Sequence, residues 1–389
     1  MSVPDKSNFT ALILVSGVDR PGITSAVINK LAEFSINILD IKQIVVGERL
    51  LQTIQIKLLP DHAIALEEDL EELATLIDAD IAIDFTQEKD NKSRKQKAFF
   101  MLVENKLDPK RLTHLTNFIQ QINGNITSME IEKLADLTAL TFQADFNDFD
   151  YQKIKIQTRE LALTHNLDIY FDTELLNNGD RKLFVFDMDS TLIGQEVIDQ
   201  IADHAGVSDE VKAITKEAME GNLDFSESLK RRVSLLKDTS STVLSSVANS
   251  LTFNPGVLET IAMIKKAGHK VAVVSGGFLN VISAPLAELK IDYLYANELE
   301  VKDHKLTGQL IGEIMDATGK ADALKKSASA AGIPLSNVVV IGDGANDLEM
   351  MSIAGHSFAY NAKEIVREKA ETTISHPDMR AILLFVGVK

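Results

Sequence analysis

The chain has no cysteine among its 389 residues. That absence removes disulfides, thiolate nucleophiles, cysteine-ligated zinc and iron–sulfur clusters together. Positive charge is also scarce: 40 Lys and Arg stand against 57 Asp and Glu, a formal net charge of -17 at pH 7. Nucleic acid and anionic membrane surfaces need a broad basic face, so neither is an expected partner. No apolar run approaches the roughly 18 residues that cross a bilayer. The first one, Ala11–Val15, is strand-length and soon meets Asp19 and Arg20, unlike the core of a signal peptide. These absences point to a cytoplasmic address. What is present is an ordinary globular composition, 45% hydrophobic and 25% charged, with length for two to three domains.

Residues 8–86 carry a strand–helix–strand–strand–helix–strand pattern. Phe9–Val15 is an apolar strand, and Pro21-Gly22 opens a helix with Ile23, Val27, Leu31 and Phe34 near helical spacing. Asn37–Val46 and Leu50–Leu58 pair around Gly47-Glu48-Arg49. Asp61 is expected to cap a second helix carrying Leu66, Leu70, Leu73 and Ile77, and Ile81–Phe85 closes the unit. The same βαββαβ, ferredoxin-like order recurs over residues 97–171, with Asp108-Pro109 opening its first helix. The polar, Lys-rich stretch Gln87–Gln96 reads as a linker between the two, and Asp172–Asp180 as another after the second.

From residue 181 onward, strands and helices alternate, which predicts a parallel sheet covered on both faces. Candidate strands are Leu183–Phe186, Val271–Val274, Tyr293–Ala296 and Val338–Ile341, with a mostly helical insertion at about 195–252. Ala381–Val388 reads as a buried terminal helix or strand. Ligands of such sheets bind beyond the carboxyl ends of the strands. Three polar turns lie there: Asp187-Met188-Asp189-Ser190-Thr191, Ser275-Gly276-Gly277 and Gly342-Asp343-Gly344-Ala345-Asn346-Asp347. If they converge, Asp187, Asp189, Asp343 and Asp347 form a carboxylate cluster that repels itself without a cation. An all-oxygen donor set suits a hard ion, Mg2+ first.

These turns, together with Lys320, resemble the four ordered motifs of the haloacid dehalogenase-like phosphatases. The resemblance covers the last roughly 210 residues. It implies that Asp187 attacks phosphorus to give a phosphoaspartate, and that Asp189 protonates the leaving oxygen and then activates water. Residues i and i+2 of a strand point the same way, which suits that division. It also implies that Mg2+ is held by Asp187, Asp343 and the backbone carbonyl of Asp189. Ser275, Gly276 and the following N–H groups, with Asn346, would meet the substrate. Lys320 would offset charge, and Asp347 would orient Lys320 or reach the metal through water.

Within the insertion Phe225, Leu229, Val233 and Leu236 share one helical face spanning about 80°. Arg232 lies within about 55° of its centre and Arg231 nearly opposite, so Arg231 is a solvated charge and Arg232 faces what the stripe covers. A covered arginine has an anion, either an internal carboxylate or a ligand. Glu196, Ala218-Met219-Glu220-Gly221, Phe225 and Arg231–Lys237 resemble the phosphoserine phosphatase family. That resemblance implies a cap in which Arg232 grips the substrate carboxylate, Glu196 recognises its amino group, and Met219 and Phe225 wall the pocket. The reaction implied is release of L-serine from O-phospho-L-serine, the last step of serine biosynthesis. The residues alone leave open another small phosphomonoester, transfer to an acceptor alcohol, or an amino-acid sensor with a vestigial catalytic domain.

Asp19-Arg20-Pro21-Gly22, between the first strand and helix, resembles the ligand loop of ACT domains. It implies serine or glycine binding through Asp19, Arg20 and Gly22, with a regulatory role and pairing into a homodimer. The second repeat has Asn105–Pro109 and no glycine at that place, so packing or dimerisation is its expected role. The fold expected is α/β: a capped Rossmann-like haloacid dehalogenase-type catalytic domain at 181–389, preceded by two ferredoxin-like ACT-type domains at 1–88 and 97–172.

Overall fold

The computed structural model describes residues 9–87, 96–176, 179–219 and 223–388. Most of the first linker, Asn177 and Asn178 of the second, the Met219 side chain and Glu220–Asn222 lie outside the described residues. The chain divides into two compact units, residues 1–93 and 94–389.

The first unit runs β1 Phe9–Val18, α1 Ile23–Leu31, β2 Asn37–Val46, β3 Arg49–Lys57, α2 Ala63–Leu76 and β4 Ala79–Gln87. Its antiparallel sheet has the order β2-β3-β1-β4. Alternate residues of β1 and β3 (Ala11, Ile13, Val15, Leu50, Ile54, Ile56) pack under Ile23, Val27 and Leu31 of α1 and Leu66, Leu70 and Leu73 of α2. Asp61 does not cap α2. Pro60 sets the first turn of a short 3-10 segment, Pro60–His62, and the α-helix begins behind it.

The second repeat runs β5 Gln96–Glu104, α3 Pro109–Gln121, β6 Asn125–Leu134, β7 Leu137–Phe146, α4 Tyr151–His165 and β8 Asp168–Asp172, with sheet order β6-β7-β5-β8. Asp108 and Asp150 cap its helices, accepting from the N–H of Lys110 and Lys153 at 2.9 and 3.1 Å. This repeat is continuous with the rest of the chain. Met101, Val103, Leu137, Ala139 and Tyr170 belong to the same apolar core as Phe184, Phe186 and the terminal helix.

The α/β part runs β9 Leu183–Phe186, then α5 Val197–Ala205, α6 Ser208–Met219, α7 Phe225–Leu235, α8 Thr242–Ser250 and α9 Val257–Lys266. It continues with β10 Lys270–Phe278, α10 Leu279–Leu286, β11 Tyr293–Lys302, β12 Lys305–Ile311, α11 Ala317–Ala331 and β13 Val338–Gly342. It closes with α12 Leu348–Ile353, β14 His356–Tyr360, α13 Glu364–Arg367, β15 Thr372–Ile374 and α14 Ala381–Val386. The sheet order is β12-β11-β10-β9-β13-β14-β15, parallel except for β12. The fully buried β9 lies at its centre, and the chain leaves it first toward β10 and later toward β13. That is a topological switch point, where a crevice opens beyond the strand ends. Helices α5–α8 form a cap joined to the sheet by two adjacent segments, bridged at Ile193 and Phe253. The cap is also tied to the β11–β12 hairpin: Asp238 and Ser241 N–H donate to Leu306 and His304 carbonyls, and Leu306 N–H to Thr239, each at 2.9 Å.

Candidate active site

Asp187 follows the last residue of β9, and its N–H donates to Ile341 of β13 at 2.9 Å, so the ladder holds its backbone in place. Its carboxylate is almost fully buried, 4% exposed. Both hydrogen bonds made to it by described residues go to Oδ1, from Lys320 Nζ at 2.7 Å and from the Met188 N–H at 2.8 Å. Oδ2 is therefore the atom left to react or to bind a metal. Lys320, on α11, is 0% exposed and also donates to Asp347 Oδ1 at 2.8 Å. Burial alone would lower the lysine's pKa, but the Asp187 and Asp347 charges raise it on balance, so the ammonium stays charged. Asp347 Oδ2 accepts the Gly344 N–H at 3.0 Å. A β-carbon at Gly342 would collide with this carboxylate, which accounts for the glycine there.

One carboxylate oxygen from each of Asp187, Asp343 and Asp347 lies within 4.8 Å of the others. Burial, then the Asp347 charge, pushes Asp187 up to about 8, with Lys320 opposing. The same two causes raise Asp343 to about 6 against the Thr191 hydroxyl. Three buried carboxylates with one ammonium among them are short of positive charge, and their donors are all oxygen. The residues fit a divalent cation that prefers hard ligands.

Asp189 stands apart from that triad. A β-carbon on Gly277 would lie 3.2 Å from its Oδ2 and 3.0 Å from Ser275 Oγ, so Asp189 faces the Ser275–Gly277 turn at the end of β10. Its Oδ1 is buried with no hydrogen-bond partner among the described residues. Burial first, then the charges of Glu196 and Asp187, raise its pKa well above the usual carboxylate range. That shift favours the protonated form of Asp189. Ser275 is fully buried, and its Oγ accepts the Gly277 N–H at 2.8 Å.

The cap supplies the other wall. A β-carbon at Gly276 would meet the Phe225 ring at 3.3 Å and Asn346 Nδ2 at 4.0 Å, so all three border one space. Arg232, one turn before the end of α7, is half-buried. Its Nε donates to the Ser228 carbonyl at 3.4 Å, and among the described residues it forms no ion pair with a carboxylate. Burial lowers its pKa against the charges of Asp199, Glu196 and Asp189. Arg231 pairs with Glu227 on the outer face of the same helix. Glu196 sits at the start of α5 and accepts from Ser190 Oγ at 2.9 Å. Met219 ends α6, and its side chain lies outside the described residues.

Three supporting residues had no assigned role in the sequence reading. Ser190, at φ 57, holds Glu196; Thr191 Oγ1 donates to Asp343 Oδ1 at 2.9 Å. Asp316 caps the Lys320 helix through the Gly319 N–H at 2.9 Å and accepts from Ser226 of the cap at 3.3 Å. A polar residue inside a motif or at a helix start was the available signal, but only packing identifies its partner. In the first unit, Gly22 takes φ 105 ahead of α1, Asp19 N–H donates to the Glu48 carbonyl at 2.8 Å, and Arg20 donates to the Ile77 carbonyl. That φ is open to glycine and strained for other residues. All three residues are exposed.

Two family models match: haloacid dehalogenase-like hydrolase over residues 184–352 and ACT domain over residues 10–85. The chain is 33% identical to the phosphoserine phosphatase SerB2 of Mycobacterium tuberculosis, across 97% of this chain and 93% of the relative. It is 36% identical to the phosphoserine phosphatase of Streptomyces coelicolor, across 97% and 92%. Among solved structures, a phospho-aspartyl intermediate analogue of phosphoserine phosphatase matches at 47% identity and a TM-score of 0.51, covering 53% of this chain and 99% of that one. With near-complete coverage in both directions and a carboxylate–lysine centre at the switch point of the sheet, the chain belongs to the phosphoserine phosphatase family of haloacid dehalogenase-like hydrolases, and carries an ACT domain at its N-terminal end.

Proposed function

We propose that this enzyme hydrolyses O-phospho-L-serine to L-serine and phosphate in a Mg2+-dependent reaction, as the last step of serine biosynthesis, through a phosphoaspartate on Asp187. The observation that carries this reading is the pairing of two buried carboxylates with different hydrogen-bond partners. Asp187 is held by Lys320 with Oδ2 left over, and Asp189 is buried beside the Ser275–Gly277 turn with its Oδ1 unpartnered among the described residues and its pKa raised. Asp187 Oδ2 forms the bond to phosphorus as the serine oxygen leaves, and Asp189 delivers its proton to that oxygen. Asp189 then takes a proton from water, whose oxygen displaces Asp187 from phosphorus. Lys320 opposes the upward shift of Asp187 and offsets phosphoryl charge, while Ser275, Gly276 and Asn346 bind the phosphoryl oxygens. Asp187 and Asp343, with the Asp189 carbonyl, would hold Mg2+, and Asp347 would support them through Lys320. The cation supplies charge neutralisation that lets a carboxylate approach a phosphate dianion.

On the substrate side, Arg232 binds the carboxylate and Glu196 the ammonium group, with Phe225 excluding water. Replacing Arg232 by Ala is expected to lower kcat/KM for phosphoserine by about 10- to 150-fold, the equivalent of roughly 1.5–3 kcal/mol for a charged hydrogen bond. Turnover of an aryl phosphate, which has no carboxylate to bind, should barely change; equal losses on both would refute the substrate assignment. Phosphate release across a panel of phosphomonoesters tests the whole reading, with phosphoserine expected to be strongly preferred.

Metal binding carries its own signature. Asp187 and Asp343 lie high in the metal-free protein, and a cation favours their charged forms, so Mg2+ binding at pH 7 should release protons. Apparent affinity should rise with pH toward about 8. Calorimetry in buffers of different ionisation heat measures the release, and a chelator should abolish turnover. Proton-neutral binding together with chelator-resistant phosphate release would contradict the assignment.

The first unit is proposed to bind serine or glycine at Asp19, Arg20 and Gly22 and to pair two copies into a homodimer. Supporting the pairing, β2 is an edge strand exposed along its whole length, with Ile38, Leu39, Ile41, Ile44, Val45 and Val46 on it.

A further inference from the structure

The ladder between β10 and β11 is regular at Ala272–Tyr293, Val273–Leu294 and Val274–Tyr295, and then slips so that the next pair is Phe278–Asn297. Three residues of β10, Ser275–Gly277, therefore stand against Ala296 alone. The slip breaks the regular backbone pairing at the turn proposed to receive phosphate. A side chain fills the gap. Asn297 is 2% exposed, and its Nδ2 donates to the Gly276 carbonyl at 2.8 Å. Its Oδ1 accepts the Met315 N–H, also at 2.8 Å. The two partners settle the amide's orientation, since a carbonyl can only accept and an N–H can only donate. Met315 immediately precedes Asp316, the cap of the helix that carries Lys320. One buried amide thus joins the turn at the end of β10 to the base of the lysine helix.

We propose that Asn297 is a positioning residue for the phosphoryl group. It holds the Ser275–Gly277 turn in its receiving geometry and fixes that turn's spacing from Lys320. The proposal rests on the reading of this turn as the phosphate site. The informative substitution is Asn297→Asp, which keeps size and the acceptor for Met315 but sets a carboxylate oxygen against the Gly276 carbonyl.

The test uses the full-length protein and two competitive inhibition constants measured against phosphoserine, those of inorganic phosphate and of L-serine. Asn297→Asp is expected to weaken phosphate at least about tenfold, as loss of a buried hydrogen bond allows. Serine, bound by the cap side, should stay within about twofold, a split that general destabilisation would not produce. Asn297→Ser, a smaller side chain that retains a donor, should fall between wild type and Asn297→Asp, and it serves as the readout if the aspartate variant does not fold. Parallel weakening of phosphate and serine, or no change in either, overturns the proposal. Ser275→Ala separates the layers. If it weakens phosphate while the Asn297 variants do not, the positioning role fails and the phosphate site stands. If neither affects phosphate, the site reading fails and the proposal goes with it.

Discussion

Asp187→Asn is expected to abolish phosphate release from O-phospho-L-serine, with a loss on the order of 10^5 or more, as for removal of a covalent nucleophile. The amide keeps the shape of the carboxylate and an oxygen to accept from Lys320 and the Met188 N–H, the two bonds that now go to Oδ1. It removes the negative oxygen that would attack phosphorus. It also takes one charge out of a buried cluster that raises its own pKa values. The variant should therefore fold with undiminished stability in the absence of metal, and urea unfolding followed by circular dichroism checks that. Folded, stable and inactive is the expected combination. Retention of more than a few per cent of activity would mean that another group attacks phosphorus.

Lys320→Met carries the second large effect, and it falls on stability as well as rate. The ammonium is fully buried between Asp187 and Asp347, at 2.7 and 2.8 Å. Removing one partner of a buried ionic set leaves uncompensated charge, at a cost of about 3–5 kcal/mol. The sign with pH follows from the same contacts. Without the cation, Asp187 gains its proton more readily in the folded state, so its native pKa, already about 8, sits further above the unfolded one. This pH-dependent part of the destabilisation should thus grow as pH rises past about 8, shrink as pH falls, and be partly offset by Mg2+. Turnover should fall by at least roughly 10^2–10^3, the usual loss for one preorganised electrostatic partner. A variant of wild-type stability across pH would show that the ion set is not carried by Lys320.

The convergence of the polar turns was legible in the sequence because the pattern that carries it is local. Leu183–Phe186 and Val338–Ile341 are short apolar runs of the kind buried parallel strands carry, and the polar turns sit directly behind them. Asp187 and Asp189 needed only the alternation of a strand. Arg232 was legible from helical angle, and its lack of a carboxylate partner among the described residues favours a ligand over an internal pair. Other features depend on which surfaces meet. The β11 strand runs on to Lys302 and returns as antiparallel β12, and β14 and β15 extend the far edge of the sheet. These strands are short or bulged, and their pairing depends on which sheet edges meet. The second repeat looked like a module of its own, since periodicity reports an element's buried face and not its neighbour. Met101, Leu137 and Tyr170 belong to the core of the catalytic domain. Asn297 follows four apolar residues of a strand, and only the slip in the β10–β11 ladder identifies its partner.

The central claim is covalent catalysis by Asp187, and rapid acid quenching during turnover of phosphoserine labelled in its phosphoryl group tests it most directly. Label should be trapped on the protein, map to the peptide containing Asp187, and disappear in Asp187→Asn. Steady turnover with no trapped label, or label mapped to a peptide without Asp187, would contradict it.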